Sequence, residues 1–228
     1  MRTTTTLALI LASTLAACGG DDGGNVSAID ARRIDGAGGP DAAAACPIES
    51  SFSTGAGMLN LNRRTSTMNP AVYSLSLGAL LGMDMPPDAM FLELYNTYAP
   101  FGTSAAPGAI GPGSHTIDAT QASYETCGLC LQFHANFDEA SGAGSNIYMP
   151  NGGTINITAM DPAVGGAYAL TFTNLTLREV TIDPMTFVTT DVAGGCTATL
   201  TDGSLAGMIQ NPPMMKAAGT AVNARTKN

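Results

Sequence analysis

Apolar and polar residues alternate with period two along several stretches of the chain. In "GTINITAMD", Ile155, Ile157 and Ala159 fall on one side of an extended strand and Thr154, Asn156 and Thr158 on the other. In "YALTFTNLTLREVTID", Tyr168, Leu170 and Phe172 alternate with Ala169, Thr171 and Thr173. The apolar phase then moves to Leu175 and Leu177, and again to Val180 and Ile182. Asn174 and Arg178–Glu179 are the places where a bulge or turn would reset it. "CGLCLQFHANF" aligns Cys127, Leu129, Leu131, Phe133, Ala135 and Phe137, with Gln132, His134 and Asn136 opposite. "CTATLTD", residues 72–81 and residues 90–98 supply further strand candidates, although "NPAVYSLSLGALLGM" is a short apolar run that also fits a helix. Turn formers in "MPPD", "APGAIGPG", "MPNGG" and "VAGG" punctuate these runs. The pattern predicts an all-β domain, an antiparallel sandwich or barrel-like fold of about eight short strands.

The N-terminus breaks the pattern. Leu7–Ala17 is an apolar run of 11 residues behind Arg2. A bilayer-spanning helix needs about 20 residues, so this run has the proportions of a signal-peptide core. Leu15-Ala16-Ala17-Cys18 resembles a bacterial lipobox. That resemblance implies cleavage before Cys18, a diacylglycerol thioether on its sulfur and acylation of the new amino terminus. The lipid then makes the membrane a partner, each buried CH₂ contributing about 0.8 kcal/mol. Gly19, not aspartate, follows the cysteine, which under the enterobacterial sorting rule favours the outer membrane.

Residues 18–45 read as a disordered tether. They hold five aspartates (Asp21, Asp22, Asp30, Asp35 and Asp41) among Gly and Ala, with too little large apolar surface to offset chain entropy. Their acidic spacing does not match a calcium loop. The expected organisation is a signal peptide over 1–17, a lipidated tether over 18–45, a β-domain over 46–212 and a loose tail over 213–228.

The 228-residue chain carries 9 Lys and Arg against 18 Asp and Glu. Removing residues 1–17 takes Arg2 with them and leaves 8 basic residues, a net charge of −10. Such a surface does not attract phosphate backbones, so nucleic acid is not an expected partner. With Cys18 lipidated, Cys46, Cys127, Cys130 and Cys196 remain, an even number suited to two disulfides in an oxidising compartment. Three pairings are open. Residues three apart in one extended strand point to opposite faces, about 10 Å apart, so 127–130 requires "TCGLC" to turn, which Gly128 permits. The favoured set is 127–130 with 46–196. A redox Cys-x-x-Cys needs a helix amino terminus at its first cysteine, and the following "LCLQFHANF" reads as strand. A zinc site on Cys127, Cys130 and His134 lacks a fourth ligand unless His115 reaches it.

The residues offer two further chemistries. Met83, Met85 and Met90, with His134, form an alternative copper-handling set, since thioethers suit Cu(I), but methionine equally fills cores. Gly-x-Ser-x-Gly, His-Glu-x-x-His and phosphate-loop motifs are absent from the sequence. A hydrolase of envelope polymers would have to assemble its site from distant residues around His115 or His134. No cofactor is expected.

Tyr124 to Cys130, Gly153 to Ile157, Leu175 to Ile182 and Gly194 to Cys196 resemble a Tyr-x-Thr-Cys-x-x-Cys β-domain found in uncharacterised secreted proteins and lipoproteins of myxobacteria and their relatives. The resemblance implies a secreted β-domain and brings no established activity. The expected role is binding or structural rather than enzymatic. The protein would be a lipid-anchored cell-envelope lipoprotein whose polar sheet face, rich in Thr, Asn and Ser, contacts glycans or other proteins.

Overall fold

The computed structural model describes residues 46–48, 51–53, 60–81 and 86–211. The apolar leader, Cys18, the tether, Met83, Met85 and the C-terminal tail lie outside the described residues. Ten strands form and, among the described residues, no helix: β1 (Ser51–Ser53), β2 (Leu61–Thr65), β3 (Tyr73–Leu81), β4 (Asp88–Tyr95), β5 (Gly113–Thr116), β6 (Leu129–Ala135), β7 (Asn146–Met160), β8 (Ala167–Ile182), β9 (Thr189–Asp191) and β10 (Thr197–Gln210). The all-β expectation holds. The stretch around Tyr73–Leu81 is a strand, its alternate residues Leu75, Leu77, Ala79 and Leu81 buried.

The pairing order β10–β2–β3–β4–β6–β7–β8 returns to β10, because β8 also pairs with β10. The sheet therefore closes on itself as a ring of seven strands, with β1, β5 and β9 on its margins. Six of the ring's joins are antiparallel. Directions alternate around such a ring, so an odd number of strands must meet in parallel at one place. That place is β10–β2, joined at Ile209↔Leu61 and Gln210↔Asn62. Closure satisfies the strand edges that an open sheet would expose.

The strands are longer than the short ones expected. β7, β8 and β10 run for 15, 16 and 14 residues because they stay paired through a change of phase. Asn174 takes φ 49° and Gly153 takes φ 101°. A side chain at Gly153 would run into the Asn174 carbonyl. On β10, Thr201 and Asp202 are both exposed between inward Leu200 and Gly203. The phase change thus crosses three neighbouring strands side by side, as expected for a bulge line that bends a sheet. The predicted reset at Asn174 is observed.

Val180 and Ile182 differ from the expectation. No second slip brings them back to the interior. Val180 pairs with Ile147 and packs with Cys127, Cys130, Tyr124 and Met149 in a second apolar cluster, separate from the main core. The main core fills the ring, with Tyr148, Tyr168, Phe133 and Phe172 its largest fully buried side chains. β4 is buried on both sides: Met90, Leu92 and Leu94 face inwards, and Glu93 and Tyr95 lie under the segment before β6. "MFLELY" therefore reads as a nearly continuous apolar run.

Both favoured disulfides form, with Cα–Cα separations of 5.6 Å for Cys46–Cys196 and 5.3 Å for Cys127–Cys130. Cys46–Cys196 spans 150 residues and Cys127–Cys130 only 3. Chain-entropy arguments make the first worth about 5 kcal/mol and the second about 2 kcal/mol. Urea denaturation is expected to show the larger loss for Cys46→Ala/Cys196→Ala and the smaller for Cys127→Ala/Cys130→Ala.

Candidate functional site

The outer side of the ring carries three surfaces of different character. The first is closed. The segment from Ile117 to Gly128 crosses the outer side of β4 and β6. Its attachments are varied: Gln121 donates to the Ala99 carbonyl (2.8 Å) and accepts from the Leu129 amide (3.0 Å). Arg178 donates to the Ala122 carbonyl (2.8 Å) and pairs with Asp191. Beneath it, Glu93 accepts from the phenols of Tyr124 (2.6 Å) and Tyr95 (3.0 Å) at the same oxygen, Oε2. All three residues are buried, and Glu93 pairs in register with Cys130. Burial first, and then the Glu93 charge, hold the Tyr95 phenol well above its ordinary range. The Tyr95 phenol thus stays protonated as a donor, and Glu93, accepting from Tyr124 as well, latches the overlying segment. Sequence reasoning missed Glu93 and Tyr124. The available signal was a single carboxylate inside the apolar run "MFLELY", since an acidic residue buried on both sides requires dedicated donors.

The second surface is the polar face of β5, β7, β8 and β10. Register aligns Ser114, Asn156, Thr171 and Ser204 in one row across these strands. Thr116, Thr154, Thr173 and Asp202 form the next row. Ser114, Thr116, Thr171, Thr173 and Asp202 are exposed, and Thr154, Asn156 and Ser204 half-buried. Their neighbours Ile155, Ile157, Leu170, Phe172 and Leu205 point into the core. Adjacent strands place such groups about 4.8 Å apart. The face is a grid of short hydroxyl and amide groups whose single charge is Asp202. This is the Thr/Asn/Ser surface expected from the alternation.

The third surface surrounds His134. The ring lies 4.8 Å from Phe91 and 6.0 Å from Phe137, both edge-on. Nε2 is 3.3 Å from Gln132 Oε1, and Nδ1 is buried without a partner. Burial pushes the His134 pKa down to about 4. His115 is also held below its ordinary value by burial, packs against Phe101 at 5.3 Å and leaves Nε2 without a partner. Among the described residues, neither imidazole is hydrogen-bonded to a serine or a carboxylate.

Of the copper set, Met83 and Met85 lie outside the described residues, and the two described members stand apart. Met90 is fully buried in the main core, while His134, one residue offset in register, lies on the outer side. Successive residues of a strand point to opposite faces, so the two side chains cannot share an ion. Cys127 and Cys130 are bonded to each other and not available as thiolates. Among the described residues, no group of three His, Cys, Asp or Glu side chains is placed to hold a metal. No protein-family model, curated protein sequence or solved structure matches the chain.

The buried imidazole gives a signed pH dependence. Folded His134 resists protonation until about pH 4, whereas the unfolded side chain takes its proton near pH 6.5. Its contribution is full above pH 6.5 and is lost as pH falls from there towards 4, because the unfolded chain binds the extra proton. Urea midpoints are expected to decline over that window, and His134→Phe, which keeps an aromatic ring beside Phe91 and Phe137, is expected to flatten the decline.

Proposed function

We propose that this protein is a lipid-anchored binding or structural component of the bacterial cell envelope. Its barrel would be held off the membrane by a tether and present the polar face of β5, β7, β8 and β10 to envelope glycans. The observation that carries the reading is the grid of eight short polar side chains over four strands, in register and nearly free of charge. Neutral donors and acceptors at regular spacing complement a polyhydroxylated polymer, whose hydroxyls accept and donate without needing a counter-charge. The lipobox at Leu15–Cys18, its resemblance-implied acylation and Gly19 support the outer membrane as the address. The two disulfides support an extracytoplasmic compartment, and so does the likeness of the Tyr124–Cys130 motif to secreted myxobacterial β-domains.

Two measurements test the proposal. In detergent phase partitioning of the producing cell's extract, the wild-type chain is expected in the detergent phase and Cys18→Ala in the aqueous phase. Equal partitioning would end the anchor reading. In co-sedimentation with purified envelope polysaccharide, Thr171→Lys/Thr173→Lys is expected to lower the bound fraction at least fivefold with the fold intact by circular dichroism. An unchanged bound fraction, or binding only to protein-containing envelope fractions, would remove glycan as the ligand.

A further inference from the structure

The outer side of β3 and β4 carries an open groove of about 300 Å³. It is chemically unlike the polar grid. Gly78 and Leu80 of β3 form its floor, and Leu80 is 49% exposed. Phe91 pairs directly with Gly78, and its ring lies where a side chain at that position would be, 3.0 Å from a Cβ built there. Phe137, from the turn after β6, forms a wall 5.4 Å from Phe91 and edge-on to it. Among the described residues, Glu139 is the single charged residue in the lining and no cationic side chain joins it. His134 backs both phenyl rings and is neutral above about pH 4.

An apolar, aromatic hollow with one carboxylate at its rim is complementary to a compact apolar group bearing one positive charge. Aromatic rings attract such a charge through their quadrupole, and the net charge of −9 raises the local concentration of cations. The volume lies at the small end of ligand sites. We infer that this groove binds a small free quaternary ammonium, its methyl groups against Leu80, Phe91 and Phe137 and its charge beside Glu139. A phosphate carried next to the ammonium would face the same carboxylate, which favours the free cation over a phospholipid headgroup. The inference is independent of the polar grid and of the anchor.

Choline and its uncharged carbon analogue 3,3-dimethylbutan-1-ol are the probes. They are titrated into the detergent-solubilised full chain while the Leu80 methyl resonances and the Phe91 and Phe137 ring resonances are followed, the ring resonances serving in every variant. Choline is expected to shift those resonances and to bind about fivefold more tightly than the analogue, the preference of a cation over an exposed aromatic site. Glu139→Gln and Leu80→Gln, both at exposed positions, are expected to weaken choline binding about three- to fivefold while leaving the urea midpoint in place. No shift with choline, equal affinity for the analogue, or full affinity in both variants would overturn the inference. Capture of Cys18→Ala by phosphatidylcholine vesicles, competed by choline, would overturn the choice of a free cation.

Discussion

The parallel join between β10 and β2 is the constraint on which the architecture depends. Seven strands of alternating direction cannot close in antiparallel fashion all round, and this ring meets that parity at two residue pairs. The seam is short, and the same β10 is held along its other edge by eleven pairs with β8. It is also flanked by β1 in parallel register, and Cys46–Cys196 fastens the chain just before β1 to the residue just before β10. The disulfide thus fastens the first end of β10, and the two-pair join with β2 lies at the other end of that strand, at Ile209 and Gln210. Loss of that link frees the segment before β1, whose three parallel pairs with β10 lie between the disulfide and the β2 join.

Closure separates an interior that is filled from an exterior that is differentiated. The interior is packed by aromatic and branched side chains as a single core. The exterior divides into a latched region, a polar grid and an aromatic groove. The latched region explains the Cys-x-x-Cys motif without redox chemistry: both sulfurs are fully buried and join the turn before β6 to the strand itself. Gly128 donates to the Ala99 carbonyl (2.9 Å) and passes so close to the Tyr98 and Ala99 backbone that a side chain there would collide with it. The buried Glu93 binds the same segment from below. Removing either phenol would leave a buried carboxylate short of a donor, which costs more than the hydrogen bond itself contributes.

The alternation in "GTINIT" and "YALTFT" made the core and the polar grid legible, because one face of each strand is buried and the other is largely solvated, whereas "CLQFHA" is buried on both faces. Asn174 was legible as a bulge because the apolar phase changes there and asparagine tolerates positive φ. The destination of Val180 and Ile182 was not legible. Their phase marks a buried outer side, and burial there depends on a segment that arrives from residues 117–128, far away in sequence. The tyrosine latch on Glu93 was hidden for the same reason, since Tyr124 lies 31 residues from its partner. The separation of Met90 from His134 is a matter of strand parity across a pairing that spacing alone does not fix.

The proposed molecule is an anchored envelope protein, and its domain carries two disulfides. The most direct test is the intact mass of the mature protein taken from membranes, alkylated before and after reduction. A chain beginning at a diacylated Cys18 with an acylated amino terminus is expected, with no alkylation before reduction and four alkylated cysteines after it. A lipid-free chain, or two thiols at Cys127 and Cys130 that react without reduction, would contradict it.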